Sequence, residues 1–194
     1  VRIGHYFAND FALLNIAGGT IAAHSFDLAG TNSASYAAML LDDTATLSLA
    51  KGVVLRDKTL LAGGGTIEGD VYNSGKVEFG STNFTYPTVT GNYFMTHNSI
   101  EGLVGSGGLS YMMTPISGDP ALGYDDLSVG GVATLGGGLQ IRADNNFPPQ
   151  VGDTMTILNA TGGIEGTFES IWSWGFGADK VPVVSIVANQ NGIG

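Results

Sequence analysis

The sequence predicts an all-β domain wound as a parallel β-solenoid, and three observations carry that expectation. Apolar and polar residues alternate over short runs, the pattern of half-buried strands. Glycine fills 31 of 194 positions, roughly 16% where about 7% is usual. Paired glycines also return along the chain at intervals near multiples of about 22 residues, the length of a small solenoid coil. A solenoid turns a corner every few residues, and many corner residues need positive φ. Only glycine takes that conformation without steric cost, with asparagine next. An antiparallel β-sandwich or jelly roll also spends glycine on turns and stands as the alternative.

The elements follow in order. Ser33 to Leu41 reads as a short helix or a buried strand. Thr46-Leu47-Ser48-Leu49 alternates as a strand. Ile67 to Val71 and Val77 to Phe79 flank a turn at Asn73-Ser74-Gly75. In Lys76-Val77-Glu78-Phe79 the charges share one face and the apolar residues the other. Leu139-Gln140-Ile141-Arg142-Ala143 and Thr154-Met155-Thr156-Ile157 repeat the pattern. Val181 to Ala188 reads as a strong terminal strand, with Pro182 confined to an edge position. The expected inward set is Val71, Val77, Phe79, Val129, Leu139, Ile141 and Ile157.

The glycine pairs stand at Gly18-Gly19, Gly64-Gly65, Gly107-Gly108, Gly130-Gly131 and Gly162-Gly163. The first three gaps fit two, two and one coils, and the last does not fit. Threonine doublets at Thr44/Thr46, Thr88/Thr90 and Thr154/Thr156 share the spacing of whole coils. Stacked at about 4.8 Å, eight or nine coils make a rod roughly 40 Å long.

Composition excludes several classes. The length suits one domain, and no apolar run approaches the roughly 20 residues of a membrane-spanning helix. Seven Lys+Arg against 17 Asp+Glu give a net charge of -10. That charge opposes nucleic-acid binding and docking on anionic lipid. Cysteine is absent, so disulfides, thiolate catalysis and cysteine-ligated zinc drop out. The chain starts at Val1 without a basic segment leading into an apolar one, and the expectation is a mature exported chain.

Four motifs carry a resemblance. Gly63-Gly64-Gly65-Thr66-Ile67-Glu68-Gly69-Asp70-Val71-Tyr72-Asn73-Ser74-Gly75-Lys76-Val77 is followed by Val89-Thr90-Gly91-Asn92-Tyr93. Next come Tyr124-Asp125-Asp126-Leu127-Ser128-Val129-Gly130-Gly131-Val132-Ala133-Thr134-Leu135-Gly136-Gly137 and then Val151-Gly152-Asp153-Thr154-Met155-Thr156-Ile157-Leu158 with Gly166-Thr167-Phe168. In this order they resemble the terminal coils of bacterial autotransporter-passenger-like surface proteins. The resemblance implies a right-handed parallel β-helix, export to the cell surface and a structural role. It divides the chain into residues 1–60, which match no motif and serve as N-terminal coils or cap, coils over 61–170, and an aromatic segment with a terminal strand over 171–194.

Candidate chemistry is sparse. His5, His24 and His97 are far apart and lack metal-ligand spacing. Asp42-Asp43 and Asp125-Asp126 are neighbours whose side chains point to opposite faces of a strand. Asp126 reads as a turn cap or a calcium ligand. Gly63-Gly64-Gly65 lacks the Lys-Ser/Thr of a phosphate loop, calcium-roll repeats are missing, and no G-x-S-x-G elbow occurs. The cations are scattered, with only Arg56-Asp57-Lys58 grouping two, at what reads as a solvated corner. The threonine doublets are too far apart for the continuous face of an ice-binding solenoid. Asn83-Phe84-Thr85 and Asn159-Ala160-Thr161 matter only in a glycosylating host.

Two segments remain as candidate sites. Trp172 and Trp174, at i and i+2 with Phe176 beyond, form an aromatic cluster suited to stacking on glycans or to capping the stack. Val181, Val183, Val184 and Ile186 form an apolar terminal strand suited to self-association. No catalytic residue, metal or cofactor is expected. The reading is a non-catalytic extracellular structural β-solenoid of a cell surface or self-assembling fibre, with other copies of itself and glycans as partners. An adhesin or carbohydrate-binding module is the alternative, followed by a polysaccharide-active enzyme.

Overall fold

The computed structural model describes residues 2–3, 11–29, 36–78, 88–95, 111–116, 126–143, 150–154, 156–177 and 180–186. Among these the chain is all strand and turn, with no helix. Strand β1 (Arg2–Ile3) precedes a first cycle of β2 (Phe11–Ile16), β3 (Gly19–Ala23) and β4 (Phe26–Leu28). The second cycle is β5 (Tyr36–Leu41), β6 (Ala45–Leu49) and β7 (Val53–Leu55). The third is β8 (Thr59–Gly63), β9 (Thr66–Glu68) and β10 (Val71–Asn73). Then follow β11 (Lys76–Glu78), β12 (Thr88–Val89) and β13 (Tyr93–Met95), and after them β14 (Tyr111–Ile116), β15 (Leu127–Val129) and β16 (Ala133–Leu135). The last cycle is β17 (Gly138–Ala143), β18 (Leu158–Ala160) and β19 (Ile164–Gly166), and β20 (Ser170–Trp174) stands over.

Each strand pairs in parallel with the strands three positions before and after it, which sorts them into three sheets. Sheet I runs β1-β4-β7-β10-β13-β16-β19, sheet II runs β2-β5-β8-β11-β14-β17-β20, and sheet III runs β3-β6-β9-β12-β15-β18. The antiparallel alternative is therefore excluded among the described residues. The ladders hold the inward residues in columns. Phe26, Val53, Val71, Tyr93 and Ala133 stand in register on sheet I. Leu47, Ile67, Val89, Val129 and Ala160 do so on sheet III. Sheet II adds Met39, Leu61 and Val77. All of these are buried in one core.

Of the expected inward set, Val71, Val77, Val129, Leu139 and Ile141 are buried. Ile157 is half-buried against the core, and Phe79 lies outside the described residues. Ser33 to Leu41 resolves from Tyr36 onward into strand β5, whose Ala37, Ala38, Met39 and Leu41 are buried.

Other expectations need correction. Thr154, Thr156 and Ile157 lie outside any strand, with β18 starting only at Leu158, and Met155 lies outside the described residues. Val181 to Ile186 has no ladder partner among the described residues and is no strand, although its alternate residues differ in exposure. Among the described residues six full cycles occur, where eight or nine were expected. Val53, Val71 and Tyr93 are in register 18 and 22 residues apart, but Ala133 and Ile164 follow only after 40 and 31. Residues 11–29 and 36–55, which match no motif, follow the same cycle as the rest.

The glycine pairs mark two kinds of corner, so their gaps cannot be added together. Gly18-Gly19 and Gly64-Gly65 lead into sheet III, whereas Gly130-Gly131 and Gly162-Gly163 lead out of it into sheet I. At this second corner the backbone stacks directly. The N–H of Gly91 donates to the Gly69 carbonyl (3.2 Å), that of Gly131 to Gly91 (2.9 Å) and that of Gly162 to Gly131 (2.9 Å). Gly107-Gly108 lies outside the described residues.

Gly52 shows why such positions exclude side chains. Its φ is +76°, and a Cβ there would collide with the Asp70 carbonyl of the next cycle. Gly152 has φ +100° but open space around it. Gly152→Ala is expected to cost only the conformational penalty, roughly 1–2 kcal/mol. Gly52→Ala adds the collision and is expected to cost at least about 2 kcal/mol more. Equal urea midpoints for the two variants would overturn this account of the corners. Val77→Asp places an unpaired charge in the core and is expected to cost several kcal/mol. A melting temperature within a degree or two of the parent's would show that Val77 does not face inward.

Candidate binding surfaces

The polar side chains inside and at the corners of the stack are joined from one cycle to the next. Asn73 is fully buried, and its Nδ2 donates to the hydroxyl of Tyr93 in the next cycle (2.9 Å). Its Oδ1 accepts the Gly75 N–H (3.0 Å), which shapes the turn into β11. Tyr93 is 1% exposed, and burial holds its phenol well above the usual tyrosine range. Between sheets III and I, Asp70 Oδ1 accepts from the backbone N–H of Asn92 (2.7 Å) and from its Nδ2 (3.2 Å). Asn92 Oδ1 accepts the Val132 N–H of the following cycle (2.9 Å). These two residues span three cycles at one corner.

The Arg56-Asp57-Lys58 corner is not a uniform solvated patch. Arg56 forms a two-pronged ion pair with Asp27 of the preceding cycle, Nε to Oδ1 at 2.7 Å and Nη2 to Oδ2 at 2.9 Å. The hydrogen bond to Asp27 raises the Arg56 pKa. Asp42 accepts from the Thr44 N–H (3.1 Å) and hydroxyl (3.0 Å), which lowers its pKa and caps the turn into β6. Asp126 sits half-buried at the start of β15, and burial raises its pKa. Among the described residues no three His, Asp or Glu side chains group as a metal site. His24 is exposed, and His5, His97 and Asp125 lie outside the described residues.

Of the aromatic cluster, the fold brings Trp172 and Trp174 together and turns Phe176 away. The two tryptophans project from the same face of β20, 39% and 41% exposed. Trp172 lies across Gly138, where a Cβ would meet its ring. Gly175 then takes φ +85°, and Phe176 packs half-buried against the core. The apolar segment beyond also has two faces. Val181 and Val183 are 82% and 90% exposed and Ile186 is exposed, while Val184 packs against the core.

Sequence reasoning missed two surfaces. The first is an outward column on sheet III, where Thr20, Thr46, Thr66, Thr88 and Ser128 stand in unbroken register. The doublet arithmetic skipped Thr20 and Thr66, although Gly18-Gly19-Thr20-Ile21 and Gly64-Gly65-Thr66-Ile67 are the same tetrapeptide and align the two. The column is continuous, but Ala22, Ser48 and Glu68 beside it are not threonine. Hydroxyl side chains placed directly opposite on neighbouring strands stabilise a sheet, and that role accounts for the column.

The second is a cleft of about 360 Å3 on sheet II, lined by Phe11, Tyr36, Lys58 and Lys76 over buried Ala37 and Thr59. Phe11 and Tyr36 are in register on β2 and β5 and largely exposed. Lys58 has φ +59°, the only positive value outside glycine among the described residues. Nothing in the sequence joins positions 11, 36, 58 and 76 before the register is known.

The chain matches no protein-family model, no curated protein and no solved structure.

The Asn73–Tyr93 contact generates a pH prediction. The folded phenol titrates above its unfolded value of 10.0, so its stabilising contribution is complete below pH 10 and is lost as pH rises beyond it. Tyr93→Phe removes the acceptor of the Asn73 Nδ2 hydrogen bond inside the core and is expected to cost about 1–3 kcal/mol at neutral pH. It should also flatten the decline in stability between about pH 10 and 12. An unchanged alkaline slope would show that Tyr93 does not govern it.

Proposed function

We propose that the chain is a right-handed parallel β-solenoid and serves as a non-catalytic structural element of an extracellular surface or self-assembling fibre. The observation that carries this reading is the unbroken parallel register of three sheets, each strand pairing with the strand three positions away. An array of this kind extends along one axis by adding similar layers and is stable through nearest-neighbour contacts. The polar side chains described above support the same reading, because Asn73, Asp70, Asn92 and Arg56 join one layer to the next. The resemblance to autotransporter-passenger coils supports an exported location. A net charge of -10 favours partners other than nucleic acid or anionic membranes, and further copies of the chain are the proposed partners.

A second reading is supported by Trp172 and Trp174, which offer two indole faces on the outer side of a terminal strand. Paired aromatic side chains suit the apolar faces of sugar rings, and the chain then acts as an adhesin or carbohydrate-binding module.

Electron microscopy of the purified chain over a concentration series tests the first reading. Unbranched filaments with an axial diffraction spacing of about 4.8 Å are expected. Release of new reducing ends or unsaturated products from an acidic polysaccharide would overturn the non-catalytic reading. Glycan binding by a particle that forms no filaments, abolished in Trp172→Ala/Trp174→Ala, would replace the first reading by the second.

A further inference from the structure

The outward face of sheet II changes character at its last two strands. Leu139, Ile141 and Ala143 of β17 are buried, so Gln140 and Arg142 between them face outward. In register with these two stand Trp172 and Trp174 of β20, 39% and 41% exposed. Two indoles, an amide and a guanidinium therefore share one face, about 4.8 Å apart across the strands and roughly 6.6 Å along them. Neither strand contains Asp or Glu. Glu169, the acid just before β20, precedes Trp174 by five positions, roughly 16 Å of extended chain.

Two further observations point this face at a ligand. Arg142 is exposed and has no ion-pair or hydrogen-bond partner among the described residues, whereas Arg56 is held by Asp27. A guanidinium keeps its charge at any ordinary pH and offers a planar fork that fits a carboxylate. Trp172, for its part, is set in place. The far end of its ring fills the space that a Gly138 side chain would take. Gly138 is not among the positive-φ glycines, so its backbone does not require glycine. What the missing side chain provides there is room for the indole.

We infer that this face binds a carboxylated saccharide, with sugar rings against Trp172 and Trp174 and a carboxylate on Arg142. A pyranose has a C–H face that suits the negative π-face of an indole. Its rim carries hydroxyls, which the Gln140 amide can meet as donor or acceptor. Charge narrows the class further. At a net -10 the chain as a whole repels acidic polymers, and an acid-free face with an unpaired cation is where a carboxylate is accepted. This inference rests on the carbohydrate-binding reading above and names the saccharide class for that site.

Trp172 and Trp174 are the chain's only tryptophans, so intrinsic fluorescence reports on this face alone. The test is titration with tetragalacturonate and with its methyl ester, which keeps the rings and removes the charge. The parent is expected to bind the acid about tenfold more tightly than the ester. Arg142→Gln should lower the affinity for the acid to that for the ester and leave the ester unchanged. Arg142→Lys should restore part of the difference. Gly138→Ala should push the indole aside and weaken both probes alike. Melting temperatures matching the parent's verify the folds, and the exposed Arg142 variants decide the matter should Gly138→Ala fail to fold. No binding of tetragalacturonate, equal affinities for acid and ester, or a preference that survives Arg142→Gln overturns the inference. If the ester or cellotetraose then still binds through the tryptophans, the carbohydrate-binding reading survives without it. A parent that binds neither these probes nor any member of a glycan array ends both.

Discussion

The rest of the structure depends on the close approach of backbones where one layer's corner sits on the next. Gly69, Gly91, Gly131 and Gly162 form a column in which each N–H after the first donates to the glycine carbonyl of the layer before. Parallel strands stack at about 4.8 Å, and a corner that keeps this spacing leaves no room for a side chain between layers. Gly52 meets the same constraint beneath the Asp70 carbonyl, where left-handed backbone and close contact coincide. High glycine content is therefore a requirement of the corners, and the strands between them are short because corners recur so often. With strands of two to six residues, no ladder is long enough to dominate. Cohesion is spread over the inward columns and over the polar groups that cross between layers.

The strands were legible in the sequence wherever a narrow interior forces strict alternation. Val77 and Glu78 on β11, or Leu139, Ile141 and Arg142 on β17, declare their faces without further context. Corners were harder to read. Ile67 to Val71 looks like one strand until Gly69 and Asp70 are seen to turn between β9 and β10. The glycine pairs were counted as one series although they occupy two different corners. Spacing then misled, because the interval that seemed not to fit, between Gly130-Gly131 and Gly162-Gly163, joins adjacent layers. Thr154 and Thr156 alternate in the sequence as Thr46 and Ser48 of β6 do, yet lie outside any strand. Alternation states a capacity for pairing, and a partner decides whether a strand forms.

The candidate surfaces divide in the same way. The tryptophan pair was legible because i and i+2 share a strand face whatever the fold. Phe176 was grouped with it only by proximity in sequence, and the positive φ of Gly175 sends its ring to the core instead. The aromatic cleft brings residues 11, 36, 58 and 76 together through register on sheet II, information that no local pattern carries. The Asn73–Tyr93 bond is similar, since both residues read locally as strand and turn. Only stacking shows that a buried amide meets a buried phenol one layer on.

The terminal strands of sheet II bear on how such a stack meets its surroundings. An edge strand presents unpaired backbone groups, and natural sheets shield long edges with charge, proline, bulges or covering segments. Among the described residues, β2 and β20 end sheet II at six and five residues. Neither strand contains Lys, Arg, Asp, Glu or Pro. Their exposed side chains include Phe11 and Leu13 at one end and Ile171, Trp172 and Trp174 at the other. Leu13 and Phe11 are outward apolar residues on an edge, and Ile171, paired with Leu139, carries that inward column to the other edge. Both edges thus carry the apolar surface that addition of another strand would cover, without the charges that would oppose it. Acidic side chains such as Asp42, Asp43, Glu68 and Glu165 lie elsewhere, exposed on turns and outer faces.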